Sequence, residues 1–236
     1  MPYVKRIAIA GNIKSIAKYY TSRFQTKGIG RGQNQNITPD DVQKLNDERA
    51  EWKLWLLIKA NFKPKDIHAV LTYKPSERPS AELARKHIAK FLRDARKIYK
   101  QQGKTFKYIW TCEYEGSALH FHLIIPQIDI SDLVEAWKYG QIRPTYMYAE
   151  GDYKALAHYI IKETTRTAKL KKISGKRYNA SNNLTKPIMK REIIKSDRWT
   201  DNPRIPKGWV LSSKVRTGYG GATGTPFQYY EIKKLE

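Results

Sequence analysis

Between Asp66 and Glu163 the spacing of apolar residues switches repeatedly between two periods, and this limits the folds open to the chain. Residues 67–73, IHAVLTY, read as a strand. Ser80 then opens a helix with Ala84, Ile88, Phe91, Leu92, Ala95 and Ile98 on one stripe, ending at Gly103. FKYIWTCEY (106–114) and LHFHLII (119–125) are strands flanking a short loop with Gly116, which predicts a hairpin. Ser131 starts a short helix, DLVEAWKY, that stops at Gly140. IRPTYMY (142–148) is a further strand, confined by Pro144 to an edge or a bulge. Asp152 caps YKALAHYIIKE. The first six elements of this β-α-β-β-α-β-α order are those of the ferredoxin-like split β-α-β unit, an antiparallel sheet with helices on one face and the other free for function. The fold class expected is therefore α+β.

Three regions follow: an N-terminal extension (1–65), this core (66–165) and a C-terminal segment (166–236). The extension holds a glycine-rich linker, TKGIGRGQNQNIT, and a helix opened by Thr38 and Pro39 that reaches about Asn61 and carries Val42, Leu45, Trp52, Trp55 and Leu56. The C-terminal segment shows little periodicity and reads as irregular and basic. From residue 164 onward there are 17 basic and 5 acidic residues, interleaved with Trp199, Trp209, Tyr219, Phe227, Tyr229 and Tyr230. It is either a solvated tail anchored by aromatics or a DNA-tracking arm. The whole chain carries a formal +23, which makes a polyanion, nucleic acid first, the default partner. No segment approaches the roughly 18 apolar residues of a spanning helix, and MPYVKRIAIAGN is too short an apolar run for a signal peptide. One cysteine, Cys112, rules out an internal disulfide and a cysteine-based zinc site, which fits a cytoplasmic protein.

His120 and His122 sit at i and i+2 of one strand and so share a face, with Leu119, Phe121 and Leu123 on the other. Two adjacent imidazoles repel when protonated and waste a buried face when neutral, and a shared metal ion resolves that conflict. Glu113 is the candidate third ligand. If the hairpin loop has an even number of residues, Glu113 falls on the histidine face, and a four-residue loop puts it opposite His120; an odd loop would bring Cys112 there instead. His68, His87 and His158 lie on other elements, and their spacing does not recommend them as ligands. Tyr159 and Lys162, at i and i+3 of a helix, lie on one face. A phenol of pKa near 10 is only ~0.1% ionised at neutral pH, a deficit of roughly 4 kcal/mol. A nearby ammonium and a metal-bound phosphate would favour its reaction as a nucleophile.

In this order, VLTY (70–73), LHFHLII (119–125) and YIIK (159–162) resemble the three motifs of rolling-circle replication initiators, the HUH endonucleases. WTCEYEGSALHFH is similar to the bacterial and phage branch, and KRYNASNNL and IPKGWVL…TPFQYYEIKKL resemble the C-terminal part of small Rep-like proteins of Firmicutes mobile elements. The resemblance implies that His120, His122 and Glu113 bind Mg²⁺ or Mn²⁺, which polarises the scissile phosphate of single-stranded DNA or an origin hairpin. It implies that Tyr159 attacks to leave a 5′-phosphotyrosine and a free 3′-OH, with Lys162 orienting it or stabilising charge. Thr72 and Tyr73 of the first motif, and Lys169, Lys171, Lys172 and Arg177 beyond the third, are candidate DNA contacts. Ala155 stands where a second phage-type tyrosine would, so the single-tyrosine type is expected. No GxxxxGK[ST] stretch is present, so unwinding would fall to a host or partner helicase. A single-tyrosine transposase is the nearest alternative. A non-catalytic RNA or single-strand binder, stacking bases on Tyr73 and Tyr108, is the alternative of a different class.

Overall fold

The computed structural model describes residues 3–21, 39–115, 118–148, 152–170, 176–196, 198–220 and 224–235. The linker TKGIGRGQNQNIT and the Thr38 cap lie outside them. In chain order the elements are strands β1 (Tyr3–Ala10) and β2 (Ile13–Tyr20), helix α1 (Pro39–Asn61), β3 (Ile67–Thr72), α2 (Ala81–Gln101), the hairpin β4 (Ile109–Glu115) and β5 (Ala118–Ile125), then α3 (Ser131–Val134), β6 (Ile142–Tyr146) and α4 (Lys154–Leu170). A two-residue strand β7 (Asn179–Ala180) precedes β8 (Ile188–Ile194), β9 (Trp209–Leu211), β10 (Arg216–Tyr219) and β11 (Pro226–Lys234). They form two compact units, Pro39–Thr185 and the joined termini Met1–Thr38 with Lys186–Glu236. The division at 65 and 165 read from the sequence groups these segments differently: α1 goes with the core, and the two ends of the chain come together.

In the unit Pro39–Thr185 the sheet order is β6-β3-β5-β4-β7, every pair antiparallel. The four main strands thus run fourth-first-third-second, the ferredoxin-like arrangement, with Pro144 on the edge strand as its missing N–H requires. The serine before α2 caps it: Ser80 Oγ accepts from the Leu83 N–H at 3.3 Å. Gly103, at φ 66°, lets the chain turn out of the helix: its N–H donates to the Lys100 carbonyl and the Lys104 N–H to that of Tyr99. Ala84, Ile88, Phe91, Leu92, Ala95 and Tyr99 of α2 pack on Ile67, Ala69, Leu71, Leu119, Phe121 and Leu123 of the sheet. The helix read from DLVEAWKY is shorter than its sequence suggests and ends at Val134, with Asp129 Oδ1 taking both the N–H and the hydroxyl of Ser131. Its departing chain drives Trp137 into the same core, where Nε1 donates to the Thr72 carbonyl at 2.9 Å. Gly140 touches the same peptide: a Cβ there would meet the Thr72 oxygen at 2.1 Å.

The second face of the sheet is not left open. α4 lies against β4, and α1 against α4. Leu54, Trp55, Leu56 and Ile58 of α1 and Ala157, Ile160 and Ile161 of α4 are buried, as are Ile109 and Ile124, whose side chains point away from α2. The histidine face is therefore roofed in part by the helix that carries Tyr159.

The termini, expected as a mixed extension and an irregular tail, build a second antiparallel sheet of six strands, ordered β10-β11-β2-β1-β8 with β9 on β11. Ile16, Tyr230 and Ile232 form its core with Ile7, Ile205, Trp209 and Val215. No helix among the described residues is long and apolar enough to cross a membrane.

Candidate active site

The hairpin register decides what shares a face. Glu113 pairs with His120 and Thr111 with His122, because Glu115 pairs with Ala118 and two residues remain for the loop. The even parity sends Glu113 to the histidine side, and a loop of two residues does this as well as one of four. Alternation sends Cys112 the other way, into the core beneath α2 at 7% exposure, where burial first and Glu113 second push its thiol up to about 12. It stays a neutral thiol and takes no part in the site.

The neighbouring strand adds residues to the same face. Thr72 of β3 pairs with His120, Val70 with His122 and His68 with Ile124. His68 is thus the diagonal neighbour of His122, and its Nε2 lies 3.2 Å from His122 Nδ1, the two rings 5.3 Å apart and within 20° of parallel. Burial first, and then the like charge a protonated His122 would bring, pull the His68 pKa down to about 4, so it is neutral in neutral solution.

The other nitrogen of His122 faces Glu113. Nε2 donates to Glu113 Oε2 at 2.5 Å, and both residues are only 5% exposed. The same oxygen accepts the Tyr159 hydroxyl at 3.1 Å, and the tyrosine ring meets His122 edge-on at 5.3 Å. Glu163, one turn beyond Tyr159, also hydrogen-bonds to Glu113. The bond from His122, then the charge that ring carries when protonated, then the bonds from Tyr159 and Glu163 outweigh burial and hold Glu113 ionised, its pKa lowered to about 2. Tyr159 is 39% exposed, so solvent reaches it.

His68, His122, Glu113 and Tyr159 therefore form one hydrogen-bonded chain drawn from β3, β5, β4 and α4. His68 is the member that sequence spacing passes over. Its signal was present: it shares parity with Val70 and Thr72 in IHAVLTY, and the split β-α-β order places the first strand beside the third. His120 stands across from Glu113 in the register, half-buried. Lys162 is exposed one turn along from Tyr159. His87 stacks on Tyr139 at 3.6 Å and His158 pairs with Glu51 at 3.1 Å, both outside the chain of bonds. Among the described residues no group of three or more His, Cys, Asp or Glu is arranged around a common metal position. The donor types are nevertheless suited to one: two imidazoles and an ionised carboxylate on one sheet face, with the Nε2 proton of His122 in the role a cation would take.

The candidate DNA contacts scatter. Thr72 is buried, its hydroxyl paired with the Gln141 backbone. Tyr73 joins Trp137, Tyr139 and His87 on the core side, its hydroxyl 3.2 Å from His87 Nδ1. Arg177 is bound to Asp47, and its carbonyl accepts from Thr111 at 3.2 Å. Lys171 and Lys172 and the side chain of Lys169 lie outside the described residues.

Residues 67–168 match the family model for Replication-associated protein ORF2/G2P. The matched stretch begins with β3 and ends within α4, so it takes in every member of the hydrogen-bonded chain and supports a role in replication initiation. No curated protein and no solved structure matches the chain.

Proposed function

We propose that the protein is a DNA nickase and strand transferase that initiates rolling-circle replication of a plasmid, phage or integrated element. Tyr159 Oη attacks a scissile phosphate of single-stranded DNA or of an origin hairpin. A phosphorus–oxygen bond forms to the phenol, the bond to the 3′ oxygen breaks, and the phenolic proton ends on the departing 3′-OH. The tyrosyl ester conserves the phosphodiester, so the same site can rejoin strands.

The observation that carries this reading is the Tyr159 hydroxyl held at 3.1 Å on the carboxylate oxygen that His122 also engages. Glu113 orients that hydroxyl and does not take its proton outright, because a carboxylate lowered to about 2 is a far weaker base than a phenolate. His120, His122 and Glu113 are the residues that would hold Mg²⁺ or Mn²⁺, which when bound polarises the phosphate. Lys162, exposed on the Tyr159 side of α4, is placed to meet phosphate charge. Tyr153, just ahead of α4, is 1% exposed, with its pKa raised to about 12 by burial and then by Asp66 and Tyr148, which favours Tyr159 over it as the nucleophile. Strand separation falls to a helicase supplied by the host or element.

The terminal unit supports backbone contact. Its two segments hold 18 basic and 5 acidic residues. Arg216, Tyr229, Ala17, Arg6 and Arg191 are successive partners across its sheet and so line one row of one face, with Arg216 and Arg6 over the rings of Tyr229 and Tyr19. The base-stacking alternative is disfavoured, since Tyr73 faces the core and α4 roofs part of the opposite face.

Incubation with single-stranded oligonucleotides and Mn²⁺ tests the proposal. The wild type gives an SDS-resistant adduct, and Tyr159→Phe binds the same DNA without forming it. Equal adduct from both proteins would refute the catalytic assignment.

A further inference from the structure

His122 has two ring nitrogens, and only the one facing Glu113 can serve the site. Which atom faces that way depends on the rotation of the ring and on the placement of its proton. Glu113 engages only one edge of the ring: a ring turned by 180° about its Cβ–Cγ bond would bring Cε1 to the carboxylate and lose that bond, and Glu113 has no hold on the Nδ1 side. The opposite side of the ring is where a second constraint acts, and His68 supplies it. Its Nε2 is 3.2 Å from His122 Nδ1. The strand register holds it there: His68 sits between Ile124 of β5 and Thr145 of β6, two residues along from the Val70–His122 pair.

A neutral imidazole has one donor and one acceptor nitrogen. His68 can thus donate to His122 Nδ1 while Nε2 of His122 keeps its proton for Glu113. It can equally accept from Nδ1 once that proton moves across, as it must when a cation occupies Nε2. Neither a leucine nor a phenylalanine at 68 offers either bond. A glutamine, whose terminal amide reaches as far as Nε2, offers both.

We infer that His68 is a positioning residue, which holds the His122 ring by its Nδ1 so that Nε2, and not the ring carbon Cε1, is presented to Glu113 and to any cation held there. Its catalytic consequence rests on the nicking reading, but the ring placement does not and is measurable without DNA.

The experiment uses the full chain with ¹⁵N-labelled histidine at neutral pH, in wild type, His68→Gln and His68→Leu. Two-bond ¹H–¹⁵N correlation spectra identify the protonated nitrogen of His122, and Mn²⁺ titration by water-proton relaxation gives its apparent affinity. In wild type the spectra show one ring state, with Nε2 protonated. His68→Gln keeps that state and holds Mn²⁺ within about threefold of wild type, whereas His68→Leu mixes ring states and weakens Mn²⁺ about 10–100-fold. A His68→Leu protein with wild-type ring signals and Mn²⁺ affinity would overturn the inference, as would a His68→Gln protein as impaired as His68→Leu. If wild type binds no Mn²⁺, the metal part of the nicking reading fails, and the ring spectra alone still decide the role of His68.

Discussion

Replacing Glu113 with glutamine keeps the shape of the side chain and removes its charge. At 5% exposure, with one oxygen accepting from both His122 and Tyr159, this carboxylate is the electrostatic centre of the site. A hydrogen bond to a charged group is worth about 1.5–3 kcal/mol and a neutral one about half that. Weakening two such bonds at once makes the Glu113→Gln core about 1.5–3 kcal/mol less stable at pH 7, roughly a 10- to 150-fold rise in the unfolding equilibrium. The acid response follows from the direction of the shift. The folded carboxyl titrates near 2, against an unperturbed 4.5, so its contribution is complete above about 4.5 and is lost as the pH falls toward 2. Glu113→Gln has no such group and loses less stability over that window. Urea unfolding of the full chain at pH 7 and pH 3, read by pulsed hydrogen exchange on the peptide covering residues 118–125, isolates the core from the terminal sheet. The reasoning is refuted if the variant matches wild type within about 0.5 kcal/mol at pH 7 and shows the same acid sensitivity.

Gly140→Ala drives a Cβ against the Thr72 carbonyl oxygen, which is backbone and cannot yield freely, so the core unfolds with a loss of about 1–3 kcal/mol in the same urea assay. Tyr153→Phe removes a buried hydroxyl that has no hydrogen-bond partner among the described residues; it leaves adduct formation intact and the core as stable or up to about 1 kcal/mol more so. Changing Arg6, Arg191 and Arg216 together to glutamine flattens the dependence of log affinity for duplex DNA on log salt by about 2–3, measured by fluorescence anisotropy between 50 and 200 mM salt; an unchanged slope would remove that face from DNA contact.

Local pattern was enough to read the core. The helix cap at Ser80, the glycine stop at 103 and the edge proline at 144 each act within a few residues of themselves, and an even hairpin loop is enough to put Glu113 on the histidine face. His68 was harder to read because its role depends on β3 lying beside β5, a pairing across more than 50 residues that no local spacing encodes. The roofing of the histidine face by α4 is likewise tertiary. The terminal sheet is the extreme case. β1 pairs with β8, and β2 with β11, across nearly the whole chain, and strands such as YVKRIAIA and IMKREII carry charges at positions that blur the two-residue alternation. Segments of that kind resemble polar linkers until their partners are known.

The most direct measurement is to map the protein–DNA adduct. Wild type is incubated with a single-stranded oligonucleotide and Mn²⁺, digested with protease and nuclease, and the modified peptide sequenced by mass spectrometry. A nucleotide 5′-phosphate esterified to Tyr159 is the predicted result. An adduct on Tyr146, Tyr148 or Tyr153, or none under conditions where the DNA is bound, would contradict the placement of the nucleophile beside Glu113 and His122.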